Sequence, residues 1–499
     1  DLQEPGRSFS CENVQNDVQG TSSQYYPRKN WKFKFKADIT YTESGRTSPT
    51  YALRANSIPV NAFCVKADFA ESSGTHNTGM AKVINNLLIE MGLTTPPQKT
   101  NKEVRTTVDG YPIAIFHRET ANDTLEFVGK YNFNNDKSTA DTFGFSEGDE
   151  SWEFSNNTSD RCLFKSADFS GTDWMNDFES RYPDDDAINA EYEAGTRKPE
   201  KLMAVTSWVV STKDNLDKFK NEVRNHFNID NLIAYYLITE LFGMVDQRAK
   251  NMFLTYFHEE GKWIFIFYDN DTCFGLNNEG LIAFGYNIEY HDKIGTLNVW
   301  NGESSVLWNN LEKCFPSEIE TMYKDIRTRG LLSYDLIMSV LNGEQSDKWC
   351  EAIYNADGRF KYIDPLIEEG NGSYLYAAQG SRIENRKWWT YNRFLYIDSK
   401  YTAGSFLSDF ATLRLYTPRE WTGVSPSANM TIIPYADQYT RVKYGSYMVG
   451  QRTYKDVPVL IEAPDIVFND TETIIYGASR VKSLGDMSGL YAGTIDPPV

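Results

Sequence analysis

The side chains best suited to chemistry lie between Asp246 and Gly275. The stretch reads Asp-Gln-Arg-Ala-Lys-Asn, then Met-Phe-Leu-Thr-Tyr-Phe, then a polar turn from His258 to Lys262. It ends in Trp-Ile-Phe-Ile-Phe-Tyr-Asp-Asn-Asp-Thr-Cys-Phe-Gly. Asp246 follows a helix-like run, Asn251 stands at i+5, and Asp269 and Asp271 appear where an apolar strand stops. Carboxylate and amide oxygens are the donors that a hard cation such as Mg²⁺ takes. Singly, each residue also has a plain reading. Asp246 fits a helix-end turn, and Asp269-x-Asp271 fits a turn or a structural calcium loop. An EF-hand is excluded by position, since the sixth residue counted from Asp269 is Phe274 and the twelfth is Gly280.

These residues need a helix, a loop and a hairpin in succession. Residues 214–243 read as helices, with Asp214 and Asp230 as caps and Ile233, Leu237, Ile238 and Leu241 as the buried face. Gly243 ends that run. Residues 252–257 and 263–268 read as strands around a turn. Upstream, Trp31-Lys32-Phe33-Lys34-Phe35-Lys36 alternates as a half-exposed strand does. The loop before it, Gly20-Thr21-Ser22-Ser23, could cradle phosphate through backbone N–H groups with Lys29 nearby, although a plain surface turn is the more common explanation and no Walker A motif is present. Ala62-Phe63-Cys64-Val65-Lys66 is an apolar strand ending in lysine, which could snorkel or hold an anion. Residues 78–91 carry helical apolar spacing from Met80 to Met91, and residues 111–135 read as a hairpin. Residues 136–205 read as an irregular insertion, its Asp184-Asp185-Asp186 run as a solvated loop. From 300 to 400 the chain is mostly helical, and after 405 short strands take over.

The chain has 499 residues, enough for two or three domains. It opens on Asp and stops without a natural ending, as a piece of a longer or processed chain would. A net charge of −19 disfavours nucleic acid and suits solubility, divalent cations or basic polypeptides. The sequence lacks a run of about 18 apolar residues, so no membrane span is expected. The six cysteines form no CxxC pair and read as free, mostly buried thiols. The five histidines show no HExxH or paired spacing, which disfavours a histidine-based metal site.

Taken in order, the motifs resemble a known family. They are Gly20–Ser23 with Pro27-Arg28-Lys29-Asn30, Val65-Lys66-Ala67-Asp68, His76-Asn77, Val128-Gly129-Lys130-Tyr131-Asn132, Asp246-x4-Asn251 and Tyr268-Asp269-Asn270-Asp271-Thr272-Cys273-Phe274-Gly275. This order is similar to that of the CotH family of atypical, spore-coat protein kinases, in the version embedded in large bacteriophage tail and virion proteins. The resemblance runs over residues 18–400, with 136–205 and the part after 405 outside it. It implies an α+β fold of two kinase-like lobes: a β-rich part over 1–210 and a mainly helical part over 211–404. The short strands after 405 read separately as a further β-rich domain over 405–499. By that resemblance Asp246 would accept a substrate hydroxyl proton. Asn251, Asp269 and Asp271 would hold Mg²⁺ on ATP. Lys66 would contact the phosphates, with Lys29 near them, and the loop of Gly20, Ser22 and Ser23 would cover them. Two departures stand out: His76-Asn77 where the family often has Arg-Asn, and Tyr268 where Trp is usual. No glutamate partner for Lys66 is apparent.

Two functions remain open at this level. One is an ATP- and Mg²⁺-dependent kinase acting on Ser or Thr of a basic, Ser-rich protein. The other is a catalytically silent structural module of a phage tail, virion or other extracellular surface assembly, partnered by further copies or neighbouring virion proteins. A carbohydrate-binding adhesin ranks last, resting only on aromatic residues in 136–205.

Overall fold

The computed structural model describes residues 1–402 except 5, 21–23, 25–27, 55, 69–74, 138–139, 277–283, 292, 295–296, 299–300 and 347–380. Beyond 402 it describes the strand backbones at 412–415, 424–425, 430–431, 441–449, 452–467 and 473–474.

Five antiparallel strands form the first sheet: β1 (Val14–Gln19), β2 (Asn30–Phe35), β3 (Ala62–Lys66), β4 (Gly110–His117) and β5 (Glu126–Asn135), in the order β1-β2-β3-β5-β4. The alternation in β2 sets the register, pairing Trp31 with Val65 and Phe33 with Phe63. Ala62 to Lys66 are all buried, as the central position of β3 requires. Phe63, Val65, Tyr131 and Phe133 form a core with Phe9, Ile39 and Tyr51.

Helix α1 (His76–Glu90) follows β3. Its stripe of Met80, Val83, Ile84, Leu87 and Leu88 joins the large core of the helical lobe. The second sheet holds β6 (Glu150–Phe154), β7 (Phe178–Tyr182), β8 (Met252–Phe257) and β9 (Lys262–Phe267), antiparallel in the order β7-β6-β8-β9. Around it lie α2 (Glu200–Ser211), α3 (Leu216–His226), α4 (Ile229–Phe242), α5 (Val306–Cys314), α6 (Pro316–Thr328), α7 (Tyr334–Ser346) and α8 (Ser381–Thr402).

Two local expectations change. The expected insertion at 136–205 instead contributes β6 and β7, with β6 paired to β8. Its scattered Trp and Phe are core residues, since Trp152, Phe154, Trp174 and Phe178 are all buried. The caps of α3 and α4 are Asn215 and Asn228, not Asp214 and Asp230. Asn215 Oδ1 accepts from Lys218 N–H at 2.9 Å and Asn228 Oδ1 from Asn231 N–H at 3.1 Å. Asp230 sits inside the first turn, where its charge suits the positive helix end. Gly243 does end α4, at φ +57. Cys64, Cys162, Cys273 and Cys314 are buried free thiols and Cys11 is a half-buried one, while Cys350 falls outside the described residues. Past 402, strands 412–415, 452–467, 441–449 and 424–425 pair antiparallel in that order. Residues 475–499 lie outside the described residues.

Candidate active site

Four backbone pieces meet at one place: the end of β3, the first turn of α1, the loop after α4 and the turn after β9. From β3, Lys66 Nζ reaches Asp269 Oδ1 at 2.6 Å, with the lysine side chain 6% exposed and the aspartate 25%. Burial alone would lower the Lys66 pKa, but Asp269, Tyr268 and Asp68 outweigh it and raise the value well above its ordinary one. Burial would raise the Asp269 carboxyl, but the Lys66 charge and hydrogen bond bring it below its ordinary range. Both shifts describe a charged pair. The ring of Tyr268 lies beneath the lysine, 4.9 Å from Nζ, and stacks on Phe253 at 5.1 Å.

The loop after α4 supplies Asp246, which is buried. Asn251 Nδ2 donates to Asp246 Oδ2 at 2.7 Å, and Asn301 Nδ2 donates to Oδ1. The next residue, Gln247, ties this loop to the other carboxylate. Its Nε2 donates to the carbonyls of Tyr268 at 2.9 Å and Asp269 at 2.6 Å, and its own carbonyl accepts from Tyr235 OH at 2.7 Å. Arg248 is fully buried between the rings of Tyr236 and Tyr290, at 4.0 and 4.2 Å, and meets Glu240 at 3.2 Å. The loop is thus nailed to α4 by its second and third residues.

Backbone strain gathers here. Among the described residues, the non-glycine positions with positive φ are Asp68, Asn251, Asp269 and Phe274 at the site and Phe164 elsewhere. Asp and Asn tolerate this left-handed region better than other side chains, which suits three of the four positions. Asp68, two residues beyond Lys66, accepts from Asn132 Nδ2, and Asn132 Oδ1 accepts from Lys130 Nζ at 2.7 Å. Asp271 is half-buried. Burial pushes its carboxyl well above the ordinary carboxylate range, and the charges of Asp269, Asp68 and Asp246 push the same way.

Lys66, Asp246, Asn251, Asp269 and Asp271, all expected from the sequence, are therefore brought together. The proposed phosphate loop is a different case. Gly20 is exposed at the end of β1 with φ +101, and Ser22 and Ser23 fall outside the described residues. Lys29 Nζ donates to the Gln24 carbonyl, a bond to the loop's own backbone. The residues missed from the sequence are Gln247, Asn301 and Asn77's contact with Asp269. Gln247 and Asn77 each adjoin a recognised position, so adjacency was the available signal; Asn301 offered none.

The donor set fits a magnesium-bound phosphate group. Among the described residues, no three or more His, Cys, Asp or Glu side chains are grouped to hold a metal. Mg²⁺ with a nucleotide needs no such cage, because it takes one or two carboxylates, waters and phosphate oxygens. The crowded charge around Asp271 is what a dication would relieve.

Among known proteins, no curated relative matches this chain. A family model described as CotH kinase protein matches residues 136–333. That span begins where the expected insertion begins, so residues 136–205 belong inside the resemblance and not outside it. Lys66 and α1 lie before the span and join it by contact. The stretch carrying Asp246, Asn251, Asp269 and Asp271 is a CotH kinase-like domain.

Proposed function

We propose that this domain transfers phosphoryl groups from ATP to Ser or Thr hydroxyls of a protein, with Mg²⁺. The observation that carries the reading is the 2.6 Å contact of Lys66 with Asp269, next to a buried Asp246. Phosphoryl transfer asks a protein mainly for positioning and charge neutralisation. Bound Mg²⁺ would neutralise phosphate charge, held by Asp269, Asp271 and the Asn251 amide oxygen. Lys66 would exchange part of its contact with Asp269 for a phosphate oxygen. Asp246, oriented on both oxygens by Asn251 and Asn301, would hold the substrate hydroxyl and accept its proton. The acidic chain, at −19, suits a basic substrate. The test is labelled-phosphate transfer to a basic Ser-rich peptide by wild type and Asp269→Ala. Equal incorporation by the two would sink the proposal.

The second reading is a catalytically silent module of a phage tail, virion or other surface assembly. It is favoured by one observation: Lys66 is already neutralised by Asp269, so the ion pair can hold the lobes together without ligand. Partners would be other copies or neighbouring assembly proteins. Among the described residues no helix is long and apolar enough to cross a membrane. Failure of wild type to bind an ATP analogue, with particles carrying many copies, would favour this reading.

A further inference from the structure

Asn77, in the first turn of α1, grips the Asp269 turn with both ends of its amide. Its Nδ2 donates to Asp269 Oδ1 at 2.9 Å, and its Oδ1 accepts from the Asn270 N–H at 3.1 Å. Asn77 is 4% exposed, so water does not compete for these bonds. The surrounding turn is fixed on other sides. Arg386 Nη1 of α8 donates to Thr75 Oγ1 at 2.9 Å, and the His76 ring packs edge-on against Phe274 at 4.9 Å. Gly79 presses on α7 so closely that a Cβ would lie 2.4 Å from Leu341 Cδ2. Any slide of α1 therefore moves Asn77.

Asp269 needs such a grip. Its φ is +53, a left-handed backbone that surrounding contacts must hold. In protein kinases the corresponding helix acts at one remove, through a glutamate on the strand lysine, while the metal-binding aspartate is set separately. Here the helix touches the aspartate itself, on the same oxygen that Lys66 binds. We infer that Asn77 is a positioning residue that sets the Asp269 carboxylate for a divalent cation, and that α1 thereby controls the cation affinity of the cleft. The inference rests on the Mg²⁺-nucleotide reading above.

The test is Mn²⁺ binding by the full chain, followed by electron paramagnetic resonance with a non-hydrolysable ATP analogue present. Circular dichroism and urea midpoints run alongside. Asn77→Ala should bind Mn²⁺ about 10- to 100-fold more weakly than wild type, the usual loss when a group behind a metal ligand is removed. Its analogue affinity without metal should stay unchanged, a split that general loosening would not produce. If Asn77→Ala fails to fold, Asn77→Ser should show the same weakening. Unchanged Mn²⁺ affinity in a folded variant overturns the inference and leaves the kinase reading standing. Loss of folding in both variants makes Asn77 a folding residue and also overturns it. A wild type that binds neither Mn²⁺ nor analogue removes both readings.

Discussion

Lys66 Nζ and Asp269 Oδ1 lie 2.6 Å apart, across 203 residues of sequence. The lysine ends a strand of the first sheet and the aspartate follows the last strand of the second, so the pair bridges the two sheets. A buried lysine offers phosphate a point charge that methionine cannot. Lys66→Met should weaken binding of an ATP analogue by about 10-fold or more, on the scale of one charge-assisted hydrogen bond. Isothermal titration calorimetry reads this directly. Affinity within twofold of wild type would remove Lys66 from the phosphate site.

Asp246 should separate binding from chemistry. Asn251 and Asn301 orient both of its oxygens, and in the proposed reaction this carboxylate takes the substrate hydroxyl and not the nucleotide. Asp246→Asn should cut phosphate incorporation by about 100-fold or more, the scale of general-base contributions. Analogue affinity should remain close to wild type. Parallel loss of both would make Asp246 part of the nucleotide site.

How much of this was legible depended on whether a residue's partner was local. Asp246-x4-Asn251 is a short-range motif, and the Asn251–Asp246 bond closes within the loop that spells it. The strand ends at Lys66 and Asp269 announced themselves through apolar runs that stop at a charge. Residues 136–205 mislead because β6 and β7 are short and separated by polar turns, so the pairing of β7 to β6 and of β6 to β8 is visible only in three dimensions. Asn301 carries no pattern of its own, and its role comes from the fold returning it to Asp246. No glutamate partner for Lys66 is apparent in the sequence. What replaces it, Asp269 on the lysine and Asn77 on Asp269, needs two long-range contacts that no spacing encodes.

Gly275 closes the turn that carries Asp269 and Asp271 and should not tolerate a side chain. Its φ is +85, and a Cβ there would lie 2.5 Å from the Phe284 carbonyl oxygen and 2.8 Å from Trp389 Cδ1. Backbone and a buried ring can yield little. Gly275→Ala should destabilise by about 2 kcal/mol or more, combining the left-handed strain with overpacking. Urea denaturation checks this. A midpoint equal to wild type would show that the turn relaxes freely.

Glu240 should be a structural anchor of the loop that carries Asp246. It is fully buried and faces Arg248 at 3.2 Å, Lys400 at 3.3 Å and Arg393 at 3.5 Å. Removing the one carboxylate strands buried cations from the loop and from α8. Glu240→Gln should cost about 3–5 kcal/mol, as breaking a buried pair from one side does. A change below about 1 kcal/mol in the urea midpoint analysis would mean that water or Glu289 compensates.

Acid should loosen the molecule first at the base of the two sheets. Glu153 of β6 meets Arg181 at 2.5 Å and Lys137 at 2.8 Å, and Asp136 meets Lys32 at 2.6 Å. Burial would raise both carboxyls, but these cations leave Glu153 below its ordinary value of 4.5 and Asp136 below 3.8. A carboxylate whose pKa falls on folding adds stability that is fully present above its unfolded value. That stability is lost as pH falls through the folded value. Thermal midpoints should therefore hold above pH 4.5 and drop progressively below it. Glu153→Gln, which cannot titrate, should start less stable at neutral pH and lose less on acidification. Parallel pH curves for the two proteins would show that the acid transition begins elsewhere.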